Sequence, residues 1–501
     1  MNDTMMQIYH RLPGPARSVA ASMRGYTLRR RRYGSETESL VNTALEREAW
    51  GAERWESWRQ ERLAYVLHRA ATQVPYYREH WLKRRRKGDR SSWELLENWP
   101  MLEKETLRRE GRAFIADDCD QHRLFHDHTS GTTGKPLDIW QSQKTVREWY
   151  ALFEARTRRW YGVSRNDRWA ILGGQTVTRM AQRRPPFWVW NAALNQLYMS
   201  SYHLAPDLVG YYVKALQRYR VTYLLGYTSA LYALAQEILR LKHNDLQLAV
   251  VITNAEPVFE YQREVISEAF KCPVRETYGM AEIVFAASEC GAGRMHIWPE
   301  AGIGEVTQDN QAVADGKAGD LICTGLMNED MPLIRYRVGD RCVLPSVQRL
   351  CECGRNLPQM ASVEGRADDM LYTFDGRPIG RLDPVFKGGL AIREAQIIQE
   401  ALNSVRLRFV PASQYSAEHG EAMIKRIQER MGNVQVVLEA VNEIPRTANG
   451  KFRAVICNLP AKQEPEYTMR QTQRQPSGSL AAASPTNGDV ELKIRTPLSL
   501  T

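Results

Sequence analysis

From about Arg168 to Tyr278, short apolar runs alternate with helical stretches, and few folds accommodate that order. The runs Trp169-Ala170-Ile171-Leu172, Val221-Thr222-Tyr223-Leu224-Leu225 and Leu248-Ala249-Val250-Val251-Ile252 are each closed by glycine, asparagine or a polar loop. Ser229 to Leu241 and Tyr261 to Phe270 carry helical spacing between them. Strands separated by helices of this length need crossover connections, which give a parallel sheet. Ligands of such sheets bind at the carboxyl ends of the strands. The loops after these strands are therefore where site residues are expected.

Other segments extend this α/β reading. Before residue 110 the chain is expected to be mainly helical, with Leu63, Val66, Leu67, Ala70 and Ala71 on one buried face that ends at Pro75. Residues 111–367 complete a large domain. A smaller α+β domain is expected over residues 368–460, with a helix near Ala391 to Leu402, a strand at Val405 to Val410, a helix around Glu421 to Met431 and a strand at Val434 to Leu438. Residues 461–501 turn to Gln, Ser, Pro, Thr and Asn and are expected to be disordered. A chain of 501 residues, 43% of them hydrophobic, has the apolar surface for more than one core.

Charge and composition exclude several classes. The net charge is +10, and residues 1–90 supply +9 of it, with 19 Lys+Arg against 10 Asp+Glu. Arg29-Arg30-Arg31-Arg32 and Lys83-Arg84-Arg85-Arg86-Lys87 dominate. Neither zinc-finger spacing nor an aromatic-plus-basic RNA signature accompanies them, so no nucleic-acid partner is expected. A solvated basic face is the simpler reading, with peripheral membrane contact through the basic N-terminal region as the functional alternative. The sequence holds no apolar run of membrane-spanning length, no secretion signal is expected, and eight cysteines in so long a chain fit a reducing cytoplasm better than a disulfide framework.

The most informative short stretch is His128-Thr129-Ser130-Gly131-Thr132-Thr133-Gly134-Lys135-Pro136-Leu137. Small residues let backbone N–H groups converge on a polyanion, the hydroxyls add donors, and Lys135 adds a charge. The spacing G-x-x-x-x-G-K-[ST] is absent, so this is not the common nucleotide loop. The string resembles the signature of the adenylate-forming superfamily, which includes acyl-CoA synthetases and peptide-synthetase adenylation domains. Five further segments follow in that superfamily's order: Asn254-Ala255-Glu256-Pro257, Tyr278-Gly279-Met280-Ala281-Glu282, Tyr336-Arg337-Val338-Gly339-Asp340, Gly365-Arg366-Ala367-Asp368 and Pro445-Arg446-Thr447-Ala448-Asn449-Gly450-Lys451.

The resemblance implies the following roles. Thr129 to Lys135 hold phosphates of ATP. Ala255, Glu256 and Pro257 line the adenine pocket, and Tyr278, Gly279 and Met280 border the base. Glu282 helps hold magnesium, and Asp340 accepts the ribose hydroxyls. Asp368 is the hinge of a mobile C-terminal domain, and Arg366 and Lys451 act with Glu282 in catalysis. Adenylation brings a carboxylate against the α-phosphate, so magnesium and the Lys451 ammonium answer a real electrostatic need.

Val74-Pro75-Tyr76-Tyr77-Arg78, Gln196 to His203, Gly226-Tyr227-Thr228-Ser229 and Arg393 to Gln399 resemble the phenylacetate–CoA ligase-like branch, and within it the relatives from capsular-polysaccharide gene clusters. The implied reaction is activation of a small-molecule carboxylic acid as an acyl-adenylate, followed by transfer to coenzyme A. Two departures matter. Ala281 stands where many relatives carry a hydroxyl residue, and Leu371 to Gly380 lacks the Gly- and Asn-containing loop that helps admit the coenzyme A arm. An amine or hydroxyl acceptor, and a catalytically silent nucleotide-binding scaffold, stay open beside the thioester. Tyr227 and Gly174 are the candidates for the acid pocket.

Cys351-Glu352-Cys353 offers two thiolates, and Cys290 is followed six residues later by His296. A Cys3His set of this kind can close a tetrahedral structural zinc site.

Overall fold

The computed structural model describes residues 8–128, 137–174, 177–179, 182–204, 207–242, 246–313, 316–345, 350–366, 371–374, 378–379, 385, 390–446 and 452–459. Two compact units divide the chain: Met1–Ala367 with Arg446–Phe452, and Asp368–Pro445 with Arg453–Thr501.

The first unit begins with four helices, α1 (Gly14–Arg32), α2 (Thr37–Arg47), α3 (Ala52–Gln73) and α4 (Pro75–Arg86), and a shorter α5 (Lys104–Glu110). The expected face of α3 is real, with Val66, Leu67, Ala70 and Ala71 buried and Leu63 partly so. Pro75 does more than end α3; it opens α4 from the first helical position, where its missing N–H costs nothing.

A hairpin follows, β1 (Phe125–His128) and β2 (Asp138–Gln141), antiparallel with His128 opposite Asp138. After helix α6 (Gln143–Phe153) comes the large sheet. Its strands are β3 (Trp169–Gly173), β4 (Trp188–Asn191), β5 (Gln196–Ser200), β6 (Tyr223–Tyr227), β7 (Val250–Asn254), β8 (Val274–Gly279), β9 (Ala286–Glu289), β10 (Met295–Ile297) and β15 (Gln359–Met360), in the order β15-β10-β9-β8-β7-β6-β3-β5-β4. The five strands from β8 to β5 are mutually parallel, as the alternation predicts. The flanks β4, β9, β10 and β15 are antiparallel additions that the alternation does not reveal.

The crossovers are α7 (Val209–Arg218), α8 (Thr228–Arg240) and α9 (Glu260–Phe270), whose apolar faces form one core with the central strands. Strands β6 and β7 begin two residues later than their apolar runs, because Val221 and Leu248 pack in the core ahead of the ladder.

A second sheet in this unit is β12 (Gln311–Ala312), β11 (Gly302–Gln308), β13 (Gly319–Gly325), β14 (Tyr336–Val343) and β16 (Ser362–Arg366), in that order. Its core is shared with α3, α4 and the segment before α5. Leu102 N–H donates to Arg335 O at 2.9 Å and Arg337 N–H donates to Leu102 O at 3.0 Å, so the residues just before α5 run beside the start of β14.

The second unit contains the short pair β17 (Leu371–Tyr372) and β18 (Pro378–Ile379), and a four-stranded sheet of β19 (Ile392–Ala401), β20 (Ser404–Pro411), β21 (Gln435–Ala440) and β22 (Val455–Cys457) in the order β21-β20-β19-β22. Here one expectation fails. Residues near Ala391 to Leu402 form strand β19 (Ile392–Ala401), not a helix. The stretch Glu-Ala-Gln-Ile-Ile-Gln-Glu-Ala has helix-favouring composition, but β19 is central, paired antiparallel to β20 (Ser404–Pro411) and parallel to β22 (Val455–Cys457), and Ala395 to Gln399 are buried in succession. Burial on both faces erases the alternation that marks a strand, and pairing overrides propensity. The helix α10 (Ala417–Met431) and strand β21 (Gln435–Ala440) occur where expected.

Candidate active site

Because β8, β7, β6, β3 and β5 are parallel, their carboxyl ends share one edge of the sheet. Gly174, Tyr227, Asn254 to Pro257 and Tyr278 to Met280 all end or directly follow strands at that edge. The expected pocket and nucleotide segments are thus adjacent for topological reasons.

Asn254 ends β7, and Ala255 takes φ +61°. A non-glycine residue in the left-handed region is uncommon, and such strain collects at functional sites. The turn carries Glu256 back onto the start of α8. There its carboxylate accepts from Ser229 N–H at 2.8 Å and Ser229 Oγ–H at 3.1 Å, satisfying donors at a helix N-terminus. Phe452 N–H also donates to Glu256 Oε1 at 2.7 Å. Burial raises the Glu256 pKa, against the opposing pull of the Ser229 and Phe452 donors and the Arg446 charge. The buried Asn254 Oδ1 has no hydrogen-bond partner among the described residues. A buried acceptor without a donor needs an explanation, and a bound group supplies one.

The Tyr278 O–H donates to Asp340 Oδ2 at 2.7 Å, so the expected adenine-bordering and ribose-binding residues are joined directly. Burial and the adjacent Asp340 carboxylate push the phenol well above its usual pKa, which keeps it a donor. Tyr278→Phe is expected to leave the fold intact and raise KM for ATP by about fivefold to tenfold with kcat little changed, the signature of one lost positioning bond, measurable in steady-state kinetics.

Glu282 is 5% exposed. The Tyr336 O–H donates to its Oε1 at 2.9 Å, and Lys104 Nζ lies 3.6 Å from the same atom. The next residue, Ile283, adopts φ +54°, a costly conformation for a β-branched side chain, and its N–H closes a turn onto Met280 O at 3.1 Å. Gln141 of β2 reaches the same turn, its Nε2 donating to Ala281 O at 3.3 Å. Tyr336 and Lys104 were not among the expected site residues. Tyr336 lies within a recognised segment but carries no expected role there, and no local signal marks Lys104, which the Leu102 pairing with β14 brings to this position.

Across β14 and β16, Asp340 stands opposite Arg366. The Arg366 side chain lies outside the described part of the structure, as do Thr129, Ser130, Gly131, Thr132, Thr133, Gly134, Lys135, Asp368, Lys451 and the 461–501 tail.

The four expected metal-ligating residues do converge. One ligand atom from each of Cys290, His296, Cys351 and Cys353 lies within 4.8 Å of all the others. Cys290 Sγ is 3.7 Å from Cys351 Sγ, and Cys353 Sγ is 3.4 Å from His296 Nε2. These match edges of about 3.8 and 3.5 Å for a tetrahedron of ordinary zinc–sulfur and zinc–nitrogen bonds. His296 Nδ1–H donates to Leu357 O at 3.0 Å, which fixes the tautomer and leaves Nε2 as the free lone pair. Burial lowers the His296 pKa, favouring the neutral ring that a metal requires. Cys290 directly follows β9, His296 lies on β10, and the loop before β15 supplies the thiol pair.

Residues 56–325 match the AMP-binding enzyme family, and residues 371–458 match the CapK C-terminal domain. Protein CapK of Staphylococcus aureus is 26% identical over 72% of this chain and 80% of its own length. The phenylacetate-coenzyme A ligase of Thermus thermophilus is 26% identical over 42% of this chain and 54% of its own. In fold, a crystal structure of 2-hydroxyisobutyryl-CoA ligase in the postadenylation state superimposes with a TM-score of 0.62 at 20% identity, covering 83% of this chain and 92% of that one. With more than half of its length inside the AMP-binding match, the chain belongs to the AMP-binding enzymes, the adenylate-forming superfamily that also holds CapK and the phenylacetate–CoA ligases.

Proposed function

We propose that the enzyme activates a small-molecule carboxylic acid with ATP, releasing pyrophosphate, and then transfers the acyl group to coenzyme A. The observation that carries the nucleotide part is the meeting of Asn254, Glu256, Tyr278, Glu282 and Asp340 around the carboxyl edge of the parallel sheet, with Asn254 Oδ1 left without a donor among the described residues. The exocyclic amino group of adenine is a donor of the kind that this atom lacks. Asp340, steadied by Tyr278, would accept the ribose hydroxyls.

In the first half-reaction a carboxylate oxygen of the acid forms a bond to the α-phosphorus, and the bond from that phosphorus to the pyrophosphate oxygen breaks. Both reactants are anionic, so the chain must neutralise charge before they meet. Magnesium, when bound, would supply that neutralisation as a Lewis acid on phosphate oxygens. Glu282 would hold the ion, with Tyr336 and Lys104 fixing the carboxylate's orientation. Lys135 and Lys451 would add positive charge on the phosphates. Tyr227 and Gly174, beside the same sheet edge, would border the acid. In the second half-reaction the coenzyme A sulfur forms a bond to the acyl carbon, and the adenylate's acyl–oxygen bond breaks to release AMP.

The cluster of Cys290, His296, Cys351 and Cys353 would hold a structural zinc ion. It leaves no open ligand position, and its role is to tie the loop before β15 to β9 and β10.

The reading is tested by acid-dependent exchange of labelled pyrophosphate into ATP across aryl, fatty and sugar acids. Exchange with at least one acid is expected, with acyl-CoA accumulating only once coenzyme A is added. Exchange without any coenzyme A-dependent product would reassign the acceptor to an amine or hydroxyl, and absence of ATP binding would overturn the nucleotide site itself.

A further inference from the structure

Helix α1 is built the wrong way round for a helix whose only task is to cover a core. It lies along β4, the edge of the large sheet, and the face it turns inward is polar. Trp190 N–H donates to Ser18 Oγ at 3.2 Å and Ala192 N–H donates to Ser22 Oγ at 3.0 Å, so two serine hydroxyls satisfy edge groups of the sheet. Arg17 is buried, with its guanidinium on Val177 O at 3.3 Å. Gly25 packs so tightly that a Cβ there would fall 2.0 Å from Asn191 Oδ1.

Three large apolar side chains point the other way. Val19, Met23 and Tyr26 recur at the spacing of one helical face and are 61%, 70% and 59% exposed. An apolar stripe turned to water costs free energy unless something covers it.

The charge around the stripe says what covers it. Residues 4–35 contain seven arginines and no aspartate or glutamate. Arg24, Arg29 and Arg30 are exposed on α1 itself. A groove beside the first half of the helix, lined by Trp188, Trp190 and Tyr211, is bordered by Lys214 and Arg218. Arginines around an apolar stripe, with tryptophan and tyrosine near its level, are the composition of a helix lying in a bilayer interface. A nucleic acid would use the arginines and leave the stripe wet. A second copy packed symmetrically on this face would set one run of arginines against another.

We propose that α1 docks the enzyme on an anionic lipid surface, with Val19, Met23 and Tyr26 inserted among the headgroups and the flanking arginines on lipid phosphates. The helix would lie in the plane of the surface over about 28 Å. No described helix is long and apolar enough to cross a membrane, so the contact is peripheral.

The test is co-sedimentation of the full chain with vesicles of phosphatidylcholine alone, or with about one-third phosphatidylglycerol. Binding is expected to the anionic vesicles only, to weaken as salt rises, and to fall about tenfold in Val19→Glu/Met23→Glu and again about tenfold in Arg29→Ala/Arg30→Ala. Thermal unfolding of both variants should match the parent, since every substituted side chain is exposed; the arginine pair reads the proposal separately should the stripe variant unfold. Failure to sediment with anionic vesicles would overturn the proposal. So would equal binding by both variants and the parent, or loss of a dimer in the stripe variant by size-exclusion chromatography, which would assign the face to a second copy.

Discussion

Acid-dependent pyrophosphate exchange is expected to fall by about 10²- to 10³-fold in Glu282→Gln, the range found when one group that stabilises transition-state charge is removed. The substitution is chosen for its shape. A glutamine oxygen still accepts from Tyr336, so the buried hydrogen bond at 2.9 Å survives and the left-handed turn at Ile283 keeps its support. What disappears is the negative charge that would hold magnesium and that faces Lys104 at 3.6 Å. The loss should therefore show in exchange rate and in the magnesium dependence, with thermal unfolding almost unchanged. Lys451→Ala is expected to lose at least as much exchange while still binding MgATP. Less than a fivefold loss in Glu282→Gln would remove that residue from the metal-holding role.

Removing zinc is expected to have the largest effect on stability. Purified protein should carry one zinc ion per chain by elemental analysis. Chelation, or Cys353→Ser, should lower Tm by about 5 °C, given roughly 1–2 °C per kcal/mol for a unit larger than about 250 residues. The physical reason is local. Cys351 and Cys353 sit in a loop with little regular structure, which hydrogen bonds at Leu357 and Pro358 tie to β10 and to which this cluster adds a second tie. The loop also reaches the N-terminal helices, because Arg355 Nε donates to Glu48 Oε2 at 2.9 Å and Asn356 N–H donates to Glu48 O at 2.9 Å. Loosening the thiol pair should therefore be felt at the end of α2. Protein that contains no metal and unfolds identically with and without chelator would show the four residues to be three free thiols packed around an imidazole.

Some parts of the molecule were legible in the sequence and others were not, for identifiable reasons. The parallel core could be read because buried strands and crossover helices differ in length and spacing, even though β6 and β7 start two residues late. The convergence of the Cys and His side chains could be read because cysteine and histidine are chemically conspicuous, and His296 sits on a strand antiparallel to the one that ends just before Cys290. Strand β19 could not, since a strand buried on both faces has no period to detect. Lys104 could not either, because its position depends on a contact between Leu102 and β14 more than 230 residues away in sequence. Nor does sequence show that Ala255 and Ile283 would adopt left-handed conformations; only the surrounding packing imposes them.

The pairing of β14 with β16 makes a short lever of two distant motifs. Asp340 is opposite Arg366, and Ala367 is the last residue before the chain passes from the large unit to the small one. A ligand held at Asp340, as proposed, would therefore load the same rung of the ladder that carries Arg366. A bulge between Arg341 and Cys342 gives that ladder a place to flex without breaking.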